Sequence, residues 1–392
     1  MIATNPATGQ PWFFSHVLLG GGGADGSFAS PFNTLQAALN SVPTDSNGIV
    51  YVQAGTNPGL PGFLVPNNVQ VLSTGPLQFL DTREFGRQQL PLSGSGQFPL
   101  VNGAPVTTTP GGVQTLVAMG NNALLSGFDV RATGNNVAGI AADNVSNFTI
   151  RDNRVTTTGN NALGITIRAS NNASLGNATV SGNTISTTGN TSDGIRVSVF
   201  GNSTLSNATV SSNQITTTGA NAHGFYAQIN GGTLGNATLS GNTVTTSGLF
   251  AEGLRIFMQG TSRLTSVTIA NNQINSDGVG ITLSASGNTT ASNAVISGNT
   301  VSTAGGNAHG LYLFTDLPAN LCATVSGNTL ITRDATANPL RFNEANGSTL
   351  RIVDTGPTFP TTQATNTLTA LGGAAPFFPV TTGGLVSTAS CP

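Results

Sequence analysis

Three residues able to move protons recur at one position of a repeating sequence. Asp193, His223 and Glu252 each stand immediately before a glycine, 30 and 29 residues apart. Three residues after them come Arg196, Tyr226 and Arg255, with Phe257 two positions further on. Two carboxyl groups on one surface are the parts of acid–base hydrolysis of a glycosidic bond, and an imidazole between them is a further proton carrier. The same face suits sugar binding without catalysis: rings cover C–H faces, while guanidinium forks and carboxylates hold hydroxyls. His309, Tyr312 and Phe314 repeat the pattern later in the chain. Whether these groups meet depends on the elements that carry them.

Those elements follow from the repeat. An asparagine returns as Asn153, Asn183, Asn213, Asn242, Asn272, Asn299 and Asn328, at spacings of 30, 30, 29, 30, 27 and 29. Three residues before each is an aliphatic (Ile150, Val180, Val210, Leu239, Ile269, Ile296, Val325), and two after it is another (Val155, Ile185, Ile215, Val244, Ile274, Val301, Leu330). Late in the copies comes glycine, aliphatic, any residue, apolar, as in Gly164-Ile165-Thr166-Ile167 and Gly194-Ile195-Arg196-Val197. Alternation with period two marks strands, and Gly and Asn mark the turns between them. Three short strands per copy of about 30 residues predict an all-β fold, a right-handed parallel β-helix solenoid. A leucine-rich repeat would need a helical return, and Ser186-Thr187-Thr188-Gly189-Asn190-Thr191-Ser192-Asp193 is a poor helix former. Stacked asparagines can form a structural ladder from coil to coil.

The solenoid fixes which residues share a face. One outward row of the third strand reads Thr166, Arg196, Tyr226, Arg255, Thr282, Tyr312, Arg341. The next reads Arg168, Ser198, Gln228, Phe257, Ser284, Phe314, Asn343, and a third, just before the strand, reads Leu163, Asp193, His223, Glu252, Val279, His309, Asn338. At ~4.8 Å per coil, Asp193 and Glu252 lie roughly 10 Å apart, near the upper end of an inverting glycosidase separation. An ordinary solvated strand face with cross-strand pairs would show the same rows, and is the favoured reading. The expectation is of exposed side chains. Outward hydroxyls of the second strand (Thr156, Ser186, Thr216, Thr245, then Asn275 and Ser302) resemble the flat arrays of ice-binding β-helices, but Asn275, Asp277 and Ile331 interrupt them.

Three segments complete the chain. Residues 1–47 read as an N-terminal cap, with a short amphipathic helix capped by Ser30 and Pro31 at its first position. Ile49-Val50-Tyr51-Val52 then opens the solenoid of residues 48–352, from which 76–112, rich in Pro and Gly, is expected to leave as a lateral loop. Asp81, Arg83, Glu84 and Arg87 in that loop are expected to form surface ion pairs, the alternative being a partner contact. Residues 353–392 form a Thr/Pro/Gly-rich tail or cap, and Cys322 and Cys391 are candidates for a disulfide fastening it.

Composition removes several function classes. Only 7% of residues are charged, all 12 cations are arginine, and the net charge is −2, so nucleic acid is not an expected partner. No apolar run is long enough for a transmembrane helix, and the N-terminus has no basic-then-apolar signal pattern. His223 and His309 lie three coils apart, ~14 Å, too far to share a metal; neither metal nor cofactor is expected. Scarce charge with abundant Thr and Asn fits an extracellular, secreted or cell-surface location.

Gly26-Ser27-Phe28-Ala29-Ser30-Pro31-Phe32-Asn33-Thr34-Leu35-Gln36-Ala37-Ala38-Leu39, followed by Ile49-Val50-Tyr51-Val52-Gln53-Ala54-Gly55, resembles the entrance of pectate-lyase-like bacterial β-helix surface proteins. Asn5-Pro6-Ala7-Thr8-Gly9-Gln10-Pro11-Trp12-Phe13-Phe14-Ser15-His16-Val17 resembles the junction between anchor and passenger in autotransporter-like proteins. The resemblance spans roughly residues 5 to 350 and implies the fold and a surface location. Ser192-Asp193-Gly194, Ala222-His223-Gly224 and Arg255-Ile256 faintly resemble the polygalacturonase motifs Asn-Thr-Asp, Gly-His-Gly and Arg-Ile-Lys. The paired aspartates are missing, and Phe257 stands in place of the lysine. The expectation is therefore a non-catalytic module for adhesion, glycan binding or rigid display, whose partners are polysaccharide, cell-surface glycans or copies of itself. The alternative is a β-helix glycoside hydrolase or lyase using Asp193, His223, Glu252 and Arg255.

Overall fold

The computed structural model describes residues 3–23, 25–56, 59–108, 112–355, 358–372, 375–380 and 385–391. In a representative coil the strands are Thr204–Ser211, Gln214–Thr217 and Phe225–Asn230. Each pairs in parallel with its equivalent one coil on: Val210 with Leu239 on the first face, Ile215 with Val244 on the second, Phe225 with Leu254 on the third. The result, among the described residues, is a parallel β-solenoid of about 9 turns, with coils of about 29 residues and faces of 13, 10 and 12 strands, the last including the antiparallel edge strand Val106–Thr107. Inward Val180, Ile185, Ile195 and Val197 are at most 1% exposed, so one continuous aliphatic column runs through the described coils. The glycine opening each third strand is required by close approach. A Cβ on Gly224 would lie 2.3 Å from Val244 Cγ1 and 2.7 Å from the Gly253 carbonyl.

Asparagine closes the corner between the first and second faces. Asn242 Oδ1 accepts the backbone N–H of Asn213 and one Nδ2 proton of Asn213, both at 3.0 Å. Asn242 Nδ2 in turn donates to Asn272 Oδ1 and to the Val210 carbonyl, both at 2.9 Å. The same pattern runs from Asn153 to Asn328, and each of these side chains is buried. An eighth rung, Asn366, accepts from Asn328 at 2.8 Å. It escaped the sequence repeat because 38 residues separate it from Asn328, with a helical turn, Pro360–Thr365, inserted between them.

The ends depart from expectation. The first strand is Phe13–Leu18, not the one at Ile49; it pairs with Gly48–Gln53. The cap helix spans Leu35–Ser41 and is capped by Thr34, whose hydroxyl accepts from the Ala37 N–H, rather than starting at Pro31 behind Ser30. Phe32 is used otherwise: its N–H donates to the His16 carbonyl and its carbonyl accepts from Leu18, both at 2.9 Å, covering the first strand's open edge. Protecting an edge outweighs one more helical turn.

Within 76–112, Phe79–Thr82 and Gly86–Gln89 form an antiparallel hairpin, which folds over the outside of the first face. Leu80 and Leu90 pack there on Ile49, Tyr51 and Leu72, which explains why Ile49-Val50-Tyr51-Val52 is apolar on both sides. Among the described residues the charges of this hairpin are not held by ion pairs. Glu84 accepts the Thr4 N–H at 2.8 Å, Arg87 lies 4.6 Å from the centre of the Phe79 ring, and Trp12 donates to the Asp81 carbonyl at 3.1 Å. The C-terminal segment adds a further coil, with Thr367–Ala370, Phe377–Val380 and Leu385–Thr388 each joining one face. Cys391 then turns back two strands to a disulfide with buried Cys322.

Two measurements test this account. Asn242→Ala strands buried Asn213 donors and the Val210 carbonyl, and should remove ~3 kcal/mol or more of unfolding free energy, whereas exposed Thr184→Ala should change it by less than ~0.5 kcal/mol; urea titration compares them. Cys391→Ser opens a loop of 69 residues and should lower stability by ~4 kcal/mol or less under the chain-entropy account, read as a fall in Tm matched by reduction of the wild type.

Candidate functional site

The third face places the chemistry-bearing residues in the expected register. Arg196 pairs with Tyr226, Tyr226 with Arg255, Arg255 with Thr282, Thr282 with Tyr312 and Tyr312 with Arg341. Phe257 and Phe314 occupy the neighbouring row on either side of Ser284. His309 lies apart from Asp193, His223 and Glu252, four, three and two coils further on respectively.

The face is not the open surface that the rows suggested. Asp193 is fully buried, His223 is 6% exposed, and Tyr226, Arg255 and Phe257 are half-buried. The reason is the spacing itself. Long side chains on coils ~4.8 Å apart must lie on one another, and small neighbours such as Ser198 and Thr282 disappear between them. Arg196 Nε donates to Asp193 Oδ2 at 2.6 Å, and the His223 N–H donates to Asp193 Oδ1 at 2.8 Å. The Glu252 N–H donates to His223 Nδ1 at 3.0 Å, and Arg255 Nη1 donates to Glu252 Oε1 at 3.1 Å. The Tyr226 ring lies between two guanidiniums, each 5.4 Å from its centre, and Arg255 is also 5.4 Å from the centre of Phe257. Asp193 and His223 Nδ1 are therefore occupied within the row, whereas Glu252 Oε2 and Arg255 Nε are buried without a hydrogen-bond partner among the described residues.

Burial sets the protonation states. It pushes the Asp193 carboxyl up to about 6, against the pull of Arg196 and the His223 N–H. It drives His223 down to about 3, with Arg255 and Arg196 adding repulsion, so the ring is neutral. Accepting at Nδ1 leaves the proton on Nε2. Glu252 is likewise raised, chiefly by burial.

The arrangement occurs twice. Asn221-Ala222-His223-Gly224-Phe225-Tyr226 is echoed by Asn307-Ala308-His309-Gly310-Leu311-Tyr312. His309 Nδ1 accepts the Asn338 N–H at 2.9 Å, the His309 and Tyr312 ring centres lie 5.5 Å apart, and Arg341 sits 5.4 Å over Tyr312. At this second site Asn338 stands where Glu252 stands at the first, so the unit does not depend on a carboxylate at that position. Among the described residues no group of three or more His, Cys, Asp or Glu side chains is close enough to hold a metal.

Sequence reasoning passed over the corner beside this face. Leu249, Phe250 and Asp277 border a cleft of about 700 Å³ whose wall includes Glu252 and Arg255. The legible signal was the single spacing of 27 residues between Asn272 and Asn299.

The histidine gives a pH test. Folded His223 resists protonation until about 3, whereas the unfolded chain takes that proton near 6.5, so the stability tied to neutral His223 is full above pH 6.5 and lost as pH falls towards 3. Asp193, raised to about 6, acts oppositely: its contribution is present below about 4 and lost as pH rises through 6. His223→Asn, the side chain Asn338 offers in the same row, isolates the histidine. Between pH 7 and pH 5 the variant should gain ~2 kcal/mol relative to wild type; a constant difference in unfolding free energy would mean that His223 is not buried neutral.

Residues 18–247 match a family model described as "Protein of unknown function (DUF1565)". No curated protein matches the chain. Among solved structures, the crystal structure of Dettilon tailspike protein (gp208) is similar at a TM-score of 0.45 and 14% identity, over 85% of this chain and 61% of that one. The chain thus spans about three fifths of the length of that tailspike chain. With more than half of its residues on the family model, the chain belongs to the family described as Protein of unknown function (DUF1565).

Proposed function

We propose that this chain is a rigid, non-catalytic β-helix module that displays or spaces groups at an extracellular surface. The observation that carries the reading is the closure of the third face. Asp193, the best-placed acid, has no exposed side-chain surface and is paired with Arg196. Glu252 is 14% exposed and paired with Arg255. A glycosidase acid must reach the leaving oxygen, and its partner must reach the sugar or a water. Recurrence of the histidine–tyrosine–arginine stack three coils on supports a packing role, since cross-strand pairs are the stabilising unit of a sheet.

The surface location is supported by the Cys322–Cys391 disulfide, a bond that persists mainly in oxidising compartments. The entrance resembling pectate-lyase-like surface β-helices, and residues 5–17 resembling the junction of autotransporter-like passengers, support the same location. Cell-surface glycans or further copies of the chain are the partners that such a module would meet.

A reducing-end assay over neutral and acidic polysaccharides tests the reading. The expected result is no release above the buffer control. Release that disappears in Asp193→Asn or Glu252→Gln would replace the display module with a hydrolase. Labelling of intact producing cells with a membrane-impermeant reagent should tag the protein; protection from the label would remove the surface location.

A further inference from the structure

We propose that the notch at the corner between the second and third faces, bordered by Phe250 and Asp277, binds an uncharged sugar unit of a glycan. This goes beyond the display module and does not depend on it.

The notch has a topological cause. Seven steps normally separate the last residue of the second strand from the glycine of the third, as in Thr217 to Gly224, Thr246 to Gly253 and Thr303 to Gly310. Between Ser276 and Gly280 there are four. The shortened corner is pulled inward, Gly278 donating to the Ala251 carbonyl at 3.1 Å. The flanking corners stand proud on both sides, and the space between them is the cleft of about 700 Å³, within the range of small-ligand pockets.

The sequence changes character where the gap opens. The outermost corner residue is left-handed in successive coils: Asn136, Asn161, Thr191, Asn221, Phe250 and Asn307 all have φ between 52° and 60°. Asparagine accepts that conformation readily, and phenylalanine does not. Phe250 nevertheless holds φ 59° and is 68% exposed, beside Leu249 at 69%. Strain and exposed apolar surface therefore coincide at the lip of the only shortened corner among coils 153–328, a pairing that stability does not explain. The run of corner hydrogen bonds (Asn161 to Asn190, Thr191 to Ala220, Asn221 to Leu249) also stops there.

The lining selects the ligand. Phe250 offers a ring and Leu249 further apolar surface; Asn221 and Asn307 offer amides; Gly306 offers exposed backbone. Asp277 is exposed, and among the described residues its carboxylate makes no hydrogen bond or ion pair, leaving it able to accept two hydroxyls. Among the described residues Arg255 is the one cation in the lining, and it already donates to Glu252. Aromatic surface with an acceptor and amides fits a pyranose, and an unpaired carboxylate without a free cation disfavours uronic acids.

The test uses the full chain and two variants, Phe250→Asn and Asp277→Asn, with maltohexaose, cellohexaose, mannohexaose and trigalacturonate as probes in calorimetric titrations. At least one neutral hexasaccharide should bind the wild type more tightly than trigalacturonate does. Each variant should weaken that binding by about tenfold or more. Phe250→Asn restores the residue that the neighbouring corners use, so its Tm should equal or exceed that of the wild type, which separates loss of the site from loss of the fold. Binding by no neutral probe, tighter binding of trigalacturonate, undiminished binding in Phe250→Asn, or a fall in its Tm would each overturn the proposal. Self-association that requires Phe250, seen by sedimentation without saccharide binding, would assign the lip to protein contact instead.

Discussion

Every coil of this solenoid must turn a corner that is buried under the next coil, and buried peptide groups at a turn have no strand partners of their own. The asparagine ladder supplies them. One side-chain amide has two donors and an acceptor oxygen with two lone pairs, which matches the demand of one corner: a backbone N–H and a side-chain N–H from the coil before, a carbonyl from the same coil, and the amide of the coil after. The ladder therefore fixes register as well as satisfying polarity. A slip of one coil position would leave every rung unpaired, and the aliphatics that flank each asparagine would turn outward together.

Fixed register has a consequence outside the core. Residues at equivalent positions are held at strand spacing whatever their chemistry, so long outward side chains must find partners among themselves. On the third face this produces desolvation: Asp193 and His223 are buried where the arginines and the tyrosine stack beside them. Low local polarity then keeps the imidazole neutral and raises the carboxyl, so the groups most suggestive of catalysis become a packed unit. Its second occurrence around His309 shows the same packing solution reached with a different neighbour, Asn338.

A strict repeat also makes departures informative. The insertion before Asn366 carries a helical turn without breaking the ladder, because it lies between rungs. The deletion between Ser276 and Gly280 likewise spares the ladder and the core column, and its whole effect falls on the surface of one corner. Corners can change length at small cost to the fold, since stability is carried by neighbouring strands and rungs.

The repeat, its three strands, the inward aliphatics and the asparagine rungs were legible in the sequence, because each is a local pattern of period two repeated at near-constant spacing. The rows of the third face were legible as well: given the coil, Arg196, Tyr226 and Arg255 could only be neighbours. What the sequence could not supply was how far those rows are exposed, since side-chain length against strand spacing decides it, and an outward position was read as a wet one. The start of the cap helix at Leu35 was decided by the need to cover the edge of Phe13–Leu18 with Phe32, a contact between distant segments that no local propensity encodes. The notch, too, was written only as a spacing of 27; it became a cleft because the corners on either side kept their full length while the chain between them was drawn inward to keep its hydrogen bonds.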